Sequence, residues 1–194
     1  MKKWLLNPFE MLAGWASLGI GLCILLITAL VACYANVHLD GVIDLHFGYH
    51  VSLKEIFLES LINWLCLAVF LYVSGFILSK SSIRILDVFG TQAMARFPYL
   101  IATIVSLSLN NNKVIAFVEY HFLNKGEAVQ PGVIDILVFA FSTLTILLML
   151  VWMVYLMYKA YSVSCNVKNV KGIFSFIAAL VSAEILSKIL IALI

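Results

Sequence analysis

Charged residues are scarce in this chain. Asp, Glu, Lys and Arg make up 11% of its 194 residues, whereas 64% are hydrophobic and the mean hydropathy is +1.09. A soluble domain carries roughly a quarter charged residues, because it must cover its surface with polar groups. The composition therefore excludes a water-soluble fold. The net charge of +2 is small and the basic residues are scattered, so we expect no nucleic-acid partner.

Cysteines and catalytic motifs are also few. The four cysteines, Cys23, Cys33, Cys66 and Cys165, form no CxxC pair, so neither a disulfide framework nor a metal site is predicted from them. The sequence contains no HExxH, no GxSxG, no phosphate-binding loop and no paired intramembrane aspartates. We therefore expect a protein that is not an enzyme and that needs no cofactor.

The apolar residues are arranged in blocks. A helix of about 20 apolar residues crosses the roughly 30 Å of bilayer hydrocarbon. The blocks predict an all-α, polytopic transmembrane helix bundle that forms a single domain over residues 1–194. Ser52 and Glu55 have the spacing of a capping box and predict the start of the second helix. The five predicted spans are residues 14–34, 57–78, 91–109, 133–158 and 173–194.

The third block allows two interpretations. Residues 97–109 are uncharged and mostly apolar but make only about 20 Å of helix, too short to span. A start at Thr91 gives a nearly full length, with Pro98 inside the helix and Arg96 more than a turn inside the membrane. We expect Arg96 to extend back to the cytoplasmic surface. The alternative is a re-entrant or surface segment, which leaves four spans.

The distribution of Lys and Arg predicts the orientation. The five-span arrangement places eight on one side and three on the other, against seven and four for four spans. The positive-inside rule then predicts a cytoplasmic N-terminus and an external C-terminus. The eight are Lys2, Lys3, Lys80, Arg84, Arg96, Lys159, Lys168 and Lys171, and the three are Lys54, Lys113 and Lys125.

Glu184 and Lys188 form the most specific polar feature. They lie four residues apart in the fifth block, with Glu184 near the predicted membrane midplane, where a lone carboxylate is costly. One interpretation is a proton or ion relay or a substrate contact in a transporter. The other is a structural ion pair inside the bundle.

Small residues predict where helices approach closely. One row recurs every four residues in the fifth block, at Ser175, Ala179, Ala183 and Ser187. A matching row lies in the first block, at Ala13, Ser17 and Gly21. Such rows let two helices pack tightly, so we expect helix five to contact another helix, with helix one as a candidate, or a second copy of the chain.

The first loop collects possible metal ligands. It holds His38, Asp40, Asp44, His46 and His50, and a helical turn would place His46 beside His50. That spacing is compatible with a zinc ion, but scattered His and Asp are also ordinary in a solvated loop. No fixed ligand pattern is present, and we predict no metal site.

A family resemblance adds to these observations. The stretch Asp87-Val88-Phe89-Gly90 after span two, residues 90–99 and the region 152–166 resemble the Yip1 family in its bacterial branch. The resemblance implies a five-span fold in a bacterial-type inner (plasma) membrane, and for bacterial members of the family it implies no known activity. It points to Asp87, Gly90, Arg96 and Tyr161 as partner residues facing the cytoplasm and to Pro98 as a further motif residue, with Asp87 paired to Arg96 or capping the third helix. Thr91-Gln92 stands where eukaryotic members usually have Pro, and no long region precedes span one, so Rab binding is not expected.

Three functional hypotheses follow. The first is a non-enzymatic scaffold or adaptor of Yip1 type, with the bilayer and another membrane protein, or itself, as partners. The second is a small permease or ion-coupled transporter that uses Glu184 and Lys188, against which the lack of an evident inverted repeat argues. The third is a metal sensor that uses the external histidines. The sequence specifies no small-molecule substrate.

Overall fold

The chain folds into a bundle of helices joined by short connections. The computed structural model describes residues 5–47, 52–110, 112–124, 126 and 129–194. Its helices are α1 Gly14–Ala35, α2 Leu53–Leu78, α3 Ile85–Met94, α4 Phe97–Ser106, α5 Lys113–Leu123, α6 Val133–Ser164 and α7 Val170–Ile191. Two short antiparallel strands, β1 Val37–His38 and β2 His46–Phe47, pair within the α1–α2 connection. Single 3₁₀ turns lie at Pro8–Glu10 and Leu107–Leu109.

Four of these helices, α1, α2, α6 and α7, are long and apolar enough to cross a membrane. The segment from Ile85 to Leu109 and the following helix Lys113–Phe122 meet at 79° and make a fifth candidate only if they are counted as one broken span. The chain is therefore a helical membrane protein with four or five candidate spans. The capping box predicted at Ser52 and Glu55 is confirmed, with both of its hydrogen bonds formed.

The third block differs from its prediction. Residues 85–94, most of which were expected in a cytoplasmic loop, form α3, and the helix breaks at Ala95 and Arg96 before α4 begins. Pro98 was expected inside a continuous helix, which is wrong. It lies in the first turn of α4, where its missing N–H has no intrahelical partner to lose.

The small residues of α1 pack against α3. A Cβ added to Gly90 would lie 2.5 Å from Ser17 Oγ and 2.8 Å from the backbone N of Leu18. A Cβ on Gly21 would lie 2.7 Å from the backbone N of Met94. Backbones this close leave no room for side chains, as at small-residue helix contacts in membranes. The predicted close approach of α1 is confirmed at Ser17 and Gly21, whereas Ala13 is exposed and precedes the helix.

The small row on α7 is buried too, but against a different helix from the one suggested. Ala179, Ala183 and Ser187 are buried and Ser175 is half-buried. The neighbour of α7 in the bundle is α2, whereas α1 packs mainly on α3 and α4. Helix α1 is therefore not the main partner of this row. Its own small residues pack against α3, which was not recognised as a helix from the sequence.

Candidate functional site

The described part of the α1–α2 loop, residues 36–47, is attached to α2 by buried polar side chains. Glu59 and Asn63 lie one turn apart on α2 and so point to the same side of it. The backbone N of Leu39 donates to Glu59 Oε2 at 2.8 Å, and His38 Nδ1 lies 3.1 Å from Glu59 Oε1. The side-chain amide of Asn63 donates to the carbonyl of Leu39. A buried carboxylate is tolerated here because the loop supplies its hydrogen-bond donors.

Two further helices hold the same loop. The hydroxyl of Tyr99 on α4 donates to the carbonyl of Asp44. The backbone N of Ile43 donates to Glu184 Oε2 on α7 at 3.2 Å. Gly41 lies directly over this carboxylate, since a Cβ there would approach Glu184 Cδ to 2.9 Å. Glycine is therefore needed at position 41 for the loop to reach Glu184.

Charged side chains gather at this contact in what we call the polar cluster, formed by Asp40, Asp44, His46, Glu184 and Lys188. The ammonium of Lys188 pairs with Asp44 Oδ2 and lies 3.8 Å from Glu184 Oε1, so the predicted i,i+4 pair exists. His46 Nδ1 lies 2.9 Å from Asp40 Oδ1 and 3.6 Å from Asp44 Oδ1. Sequence spacing indicated the helical pair, but it gave no sign that Asp44 is a third member of it.

Electrostatics within the polar cluster shift two loop groups. Partial burial alone would raise the pKa of Asp44, but the hydrogen bond from Lys188 and the positive charges of His46 and Lys188 outweigh burial. The pKa of Asp44 therefore lies below its ordinary value. The hydrogen bond with Asp40 raises the pKa of His46 against a smaller opposing effect of burial, with help from the charges of Asp40 and Asp44. His46 therefore favours its protonated form more than a free histidine does.

Three side chains of the polar cluster are close enough to hold a metal ion. The ligand atoms of Asp40, Asp44 and His46 all lie within 4.8 Å of one another. The proposed helical turn joining His46 to His50 is wrong for His46, which lies on β2, and His50 lies outside the described residues. The three side chains are partly exposed and already hydrogen-bonded or ion-paired, which is an ordinary arrangement without a metal.

Known proteins add no assignment to this geometry. No family model, curated protein or solved structure matches the chain. The resemblance to the Yip1 family therefore stays a prediction that rests on the short motif around Asp87 and Gly90.

The motif residues do not form an exposed surface. Gly90, Arg96, Pro98 and Tyr161 are buried, and Asp87 is half-buried. The expectation that Gly90, Arg96 and Tyr161 face the cytoplasm as partner residues is wrong, because all three are buried inside the bundle. No ion pair joins Asp87 and Arg96, although both residues are described.

Arg96 lies in the interior with part of its hydrogen-bonding capacity unused. Only 1% of its surface is exposed, so the expectation that it extends to the cytoplasmic surface is wrong. Its Nε and Nη2 have no hydrogen-bond partner among the described residues, and neither do Gln92 Oε1 and Asn63 Oδ1. The side-chain amide of Gln92 does donate to the carbonyl of Met157, at 3.0 Å. A buried cation with unused donors is costly, which marks this position as a second polar site.

Tyr161 has a structural position. Its hydroxyl lies 2.8 Å from Ser175 Oγ on α7 and 3.3 Å from Ser74 Oγ on α2. One side chain of α6 therefore connects three helices near the α6–α7 turn. Burying a tyrosine hydroxyl requires such partners, so this geometry explains the residue without a docking role.

The sequence interpretation missed the residues that attach the loop. Glu59, Asn63 and Tyr99 were not singled out, although the first two were detectable as polar residues four apart within an apolar block. Tyr99 carried no such signal, because tyrosine is common in membrane helices and only the folded loop brings an acceptor to its hydroxyl.

Proposed function

We propose that the chain is a five-span, non-enzymatic membrane scaffold or adaptor with its N-terminus in the cytoplasm. The proposal rests on the contacts made by the carboxylate of Glu184. Its carboxylate accepts from Ile43, lies under Gly41 and neighbours Lys188, so it attaches a loop and does not line an open path. A carboxylate that serves transport must be reached by its ion from each side in turn.

The charges at the two ends of the bundle support the orientation. The α2–α3 connection and the α6–α7 turn lie at one end, since a Cβ on Gly75 would approach Cys165 Cβ to 2.9 Å. That end carries Lys80, Arg84, Lys159, Lys168 and Lys171, and the opposite end carries Lys54 and Lys113. The opposite end also carries Lys188, which contacts Asp44 of the α1–α2 loop. The buried Arg96 is not counted, and Lys2, Lys3 and Lys125 lie outside the described residues. Five against three favours the first end as cytoplasmic.

In this proposal the docking surface consists of exposed residues at the cytoplasmic end of the bundle, because the motif residues are buried. We call Lys80, Arg84, Lys168 and Lys171 the basic rim; all four are exposed. A ring of cations at a cytoplasmic surface attracts the anionic leaflet and acidic segments of partner proteins. Membership of the Yip1 family remains part of the proposal and fits a protein whose function is binding.

One observation favours the second candidate, a small ion-coupled permease. The unpaired donors of Arg96 and the unpaired oxygens of Gln92 and Asn63 are polar groups inside the bundle with capacity for a ligand. A transported anion would bind to the unpaired N–H groups of Arg96. The same groups also suit a structural interior, and the loop covers the nearby Glu184, so this candidate ranks second.

Purified protein in proteoliposomes separates the two candidates. The scaffold proposal predicts no flux driven by gradients of protons, Na⁺, K⁺ or Cl⁻ in the wild type, Arg96→Gln or Glu184→Gln. It also predicts that replacing Lys168 and Lys171 by Gln removes cross-linked partners in native membranes. The matched control, Lys113→Gln at the other end, keeps those partners. Flux in the wild type that Glu184→Gln abolishes in a folded protein would make the permease the better account.

A further inference from the structure

An apolar cavity of about 410 Å³ lies beside the polar cluster. The α1–α2 loop contributes Ile43 and Leu45 to its wall, and α6 contributes Phe139, Ile146 and Leu150. Its volume lies within the range of about 300–1,000 Å³ that is usual for small-molecule sites. The cavity is thus large enough for part of a ligand and is lined almost entirely by hydrocarbon.

The position of the cavity indicates that its occupant comes from the bilayer. Leu147 of α6 and Phe47 of the loop line the cavity and are 55% and 43% exposed, so they form an open rim. On the same helix, Leu148 and Val151 are exposed, as lipid-facing residues of a spanning helix are. An apolar molecule reaches this rim from the hydrocarbon without crossing water.

The rim also has a charge preference. Asp44 belongs both to the cavity wall and to the polar cluster. The polar cluster sets three carboxylates, Asp40, Asp44 and Glu184, against the ammonium of Lys188 and, when its imidazole is protonated, His46, so one negative charge remains in excess. The excess of negative charge attracts a cationic headgroup, and a primary ammonium can donate hydrogen bonds to carboxylates that a quaternary one cannot.

We propose that this cavity binds an aminophospholipid of the surrounding bilayer, with an acyl chain against α6 and the ammonium group at Asp40 and Asp44. The cavity is formed by the described loop, the 3₁₀ turn at Leu109, α5 and α6, and the polar cluster adds Glu184 and Lys188 of α7. None of these residues belongs to the basic rim, so the site does not depend on whether the rim also recruits a protein. It makes the chain selective for a headgroup in one leaflet.

The test compares lipids with identical acyl chains on the full-length protein in detergent, by native mass spectrometry. Phosphatidylethanolamine should be retained about tenfold more than phosphatidylcholine, and phosphatidylglycerol least. Asp40→Asn should reduce the phosphatidylethanolamine signal to the phosphatidylcholine level. Asp40 is chosen because it takes no part in the Lys188–Asp44 pair that helps to hold the loop.

A second variant tests the cavity itself. Thr143→Phe should fill the cavity and lower the retention of all three lipids, whereas Leu148→Phe, on the outer face of α6, should not. Equal retention of the three headgroups by the wild type would overturn the proposal. A preference for phosphatidylethanolamine that Asp40→Asn leaves unchanged would also overturn it, whatever Thr143→Phe does to folding.

Discussion

Replacing Glu59 by alanine tests whether buried polar contacts hold the α1–α2 loop. The substitution removes the acceptor of the Leu39 N–H bond of 2.8 Å and the contact of 3.1 Å with His38. Glu59 and Leu39 are almost fully buried, at 4% and 1% exposed, so water does not readily replace their bond. Alanine is a good helix former, so the helix itself should not be weakened.

The magnitude follows from which contact is lost. The side chain of His38 is 31% exposed, so solvent compensates most of that contact and it contributes little. The bond from Leu39 to a charged acceptor dominates, and such bonds contribute about 1.5–3 kcal/mol when the remaining partner stays buried. We therefore expect Glu59→Ala to lower the free energy of unfolding by about 1.5–3 kcal/mol.

The assay is reversible unfolding of the purified protein in mixed micelles with increasing denaturing detergent, followed by circular dichroism. Glu119→Ala, which changes an exposed glutamate on α5, is the matched control and should leave the midpoint unchanged. A free energy of unfolding for Glu59→Ala within about 0.5 kcal/mol of the wild type would refute the reasoning, because substitutions of exposed residues without such contacts change it by that much.

Three further predictions use the same preparation. Gly90→Val should destabilise the bundle by about 1–3 kcal/mol, because the valine side chain would overlap α1. Gly19→Ala, with open space around it, should not destabilise the bundle. Comparable unfolding midpoints for the two variants would contradict this prediction. Tyr99→Phe should cost about 0.5–1.5 kcal/mol and speed proteolysis of the loop, and an unaltered cleavage rate would count against the hydrogen bond. NMR titration should place the pKa of His46 above 6.5, and Asp40→Asn should lower it. The ion pair between His46 and Asp40 is then complete below pH 6.5 and is lost as the pH rises through the raised pKa. Asp44 and Lys188 are the other charged groups that face His46.

The positions of the long helices were predictable because hydropathy and length suffice for them. The cap at Ser52 and the small rows were predictable because each depends on local spacing. The break at Ala95 was missed because Pro98, which marks the start of α4, was assigned to the interior of one continuous helix from Thr91. The burial of α3 was missed because polar and small residues there resemble a loop until a partner helix is known.

The polar contacts were predictable only in part. Glu184 and Lys188 lie on one helix, so their spacing indicated the pair. The contacts of Glu184 with Ile43 and of Glu59 with Leu39 join segments 141 and 20 residues apart. Which residues meet depends on how the loop folds back onto the helices, and no periodic pattern in the sequence indicates this.

Hydrogen exchange of backbone amides in the loop tests the central claim most directly, since that claim is that interior carboxylates hold the loop closed over Glu184. In the wild-type protein in lipid nanodiscs, the amides of Leu39 and Ile43 should exchange at least about 100-fold more slowly than in an unfolded peptide. Glu59→Ala should release Leu39, and Glu184→Ala should release Ile43. Exchange of both wild-type amides at the rate of an unfolded peptide would contradict the account and leave Glu184 open to solvent.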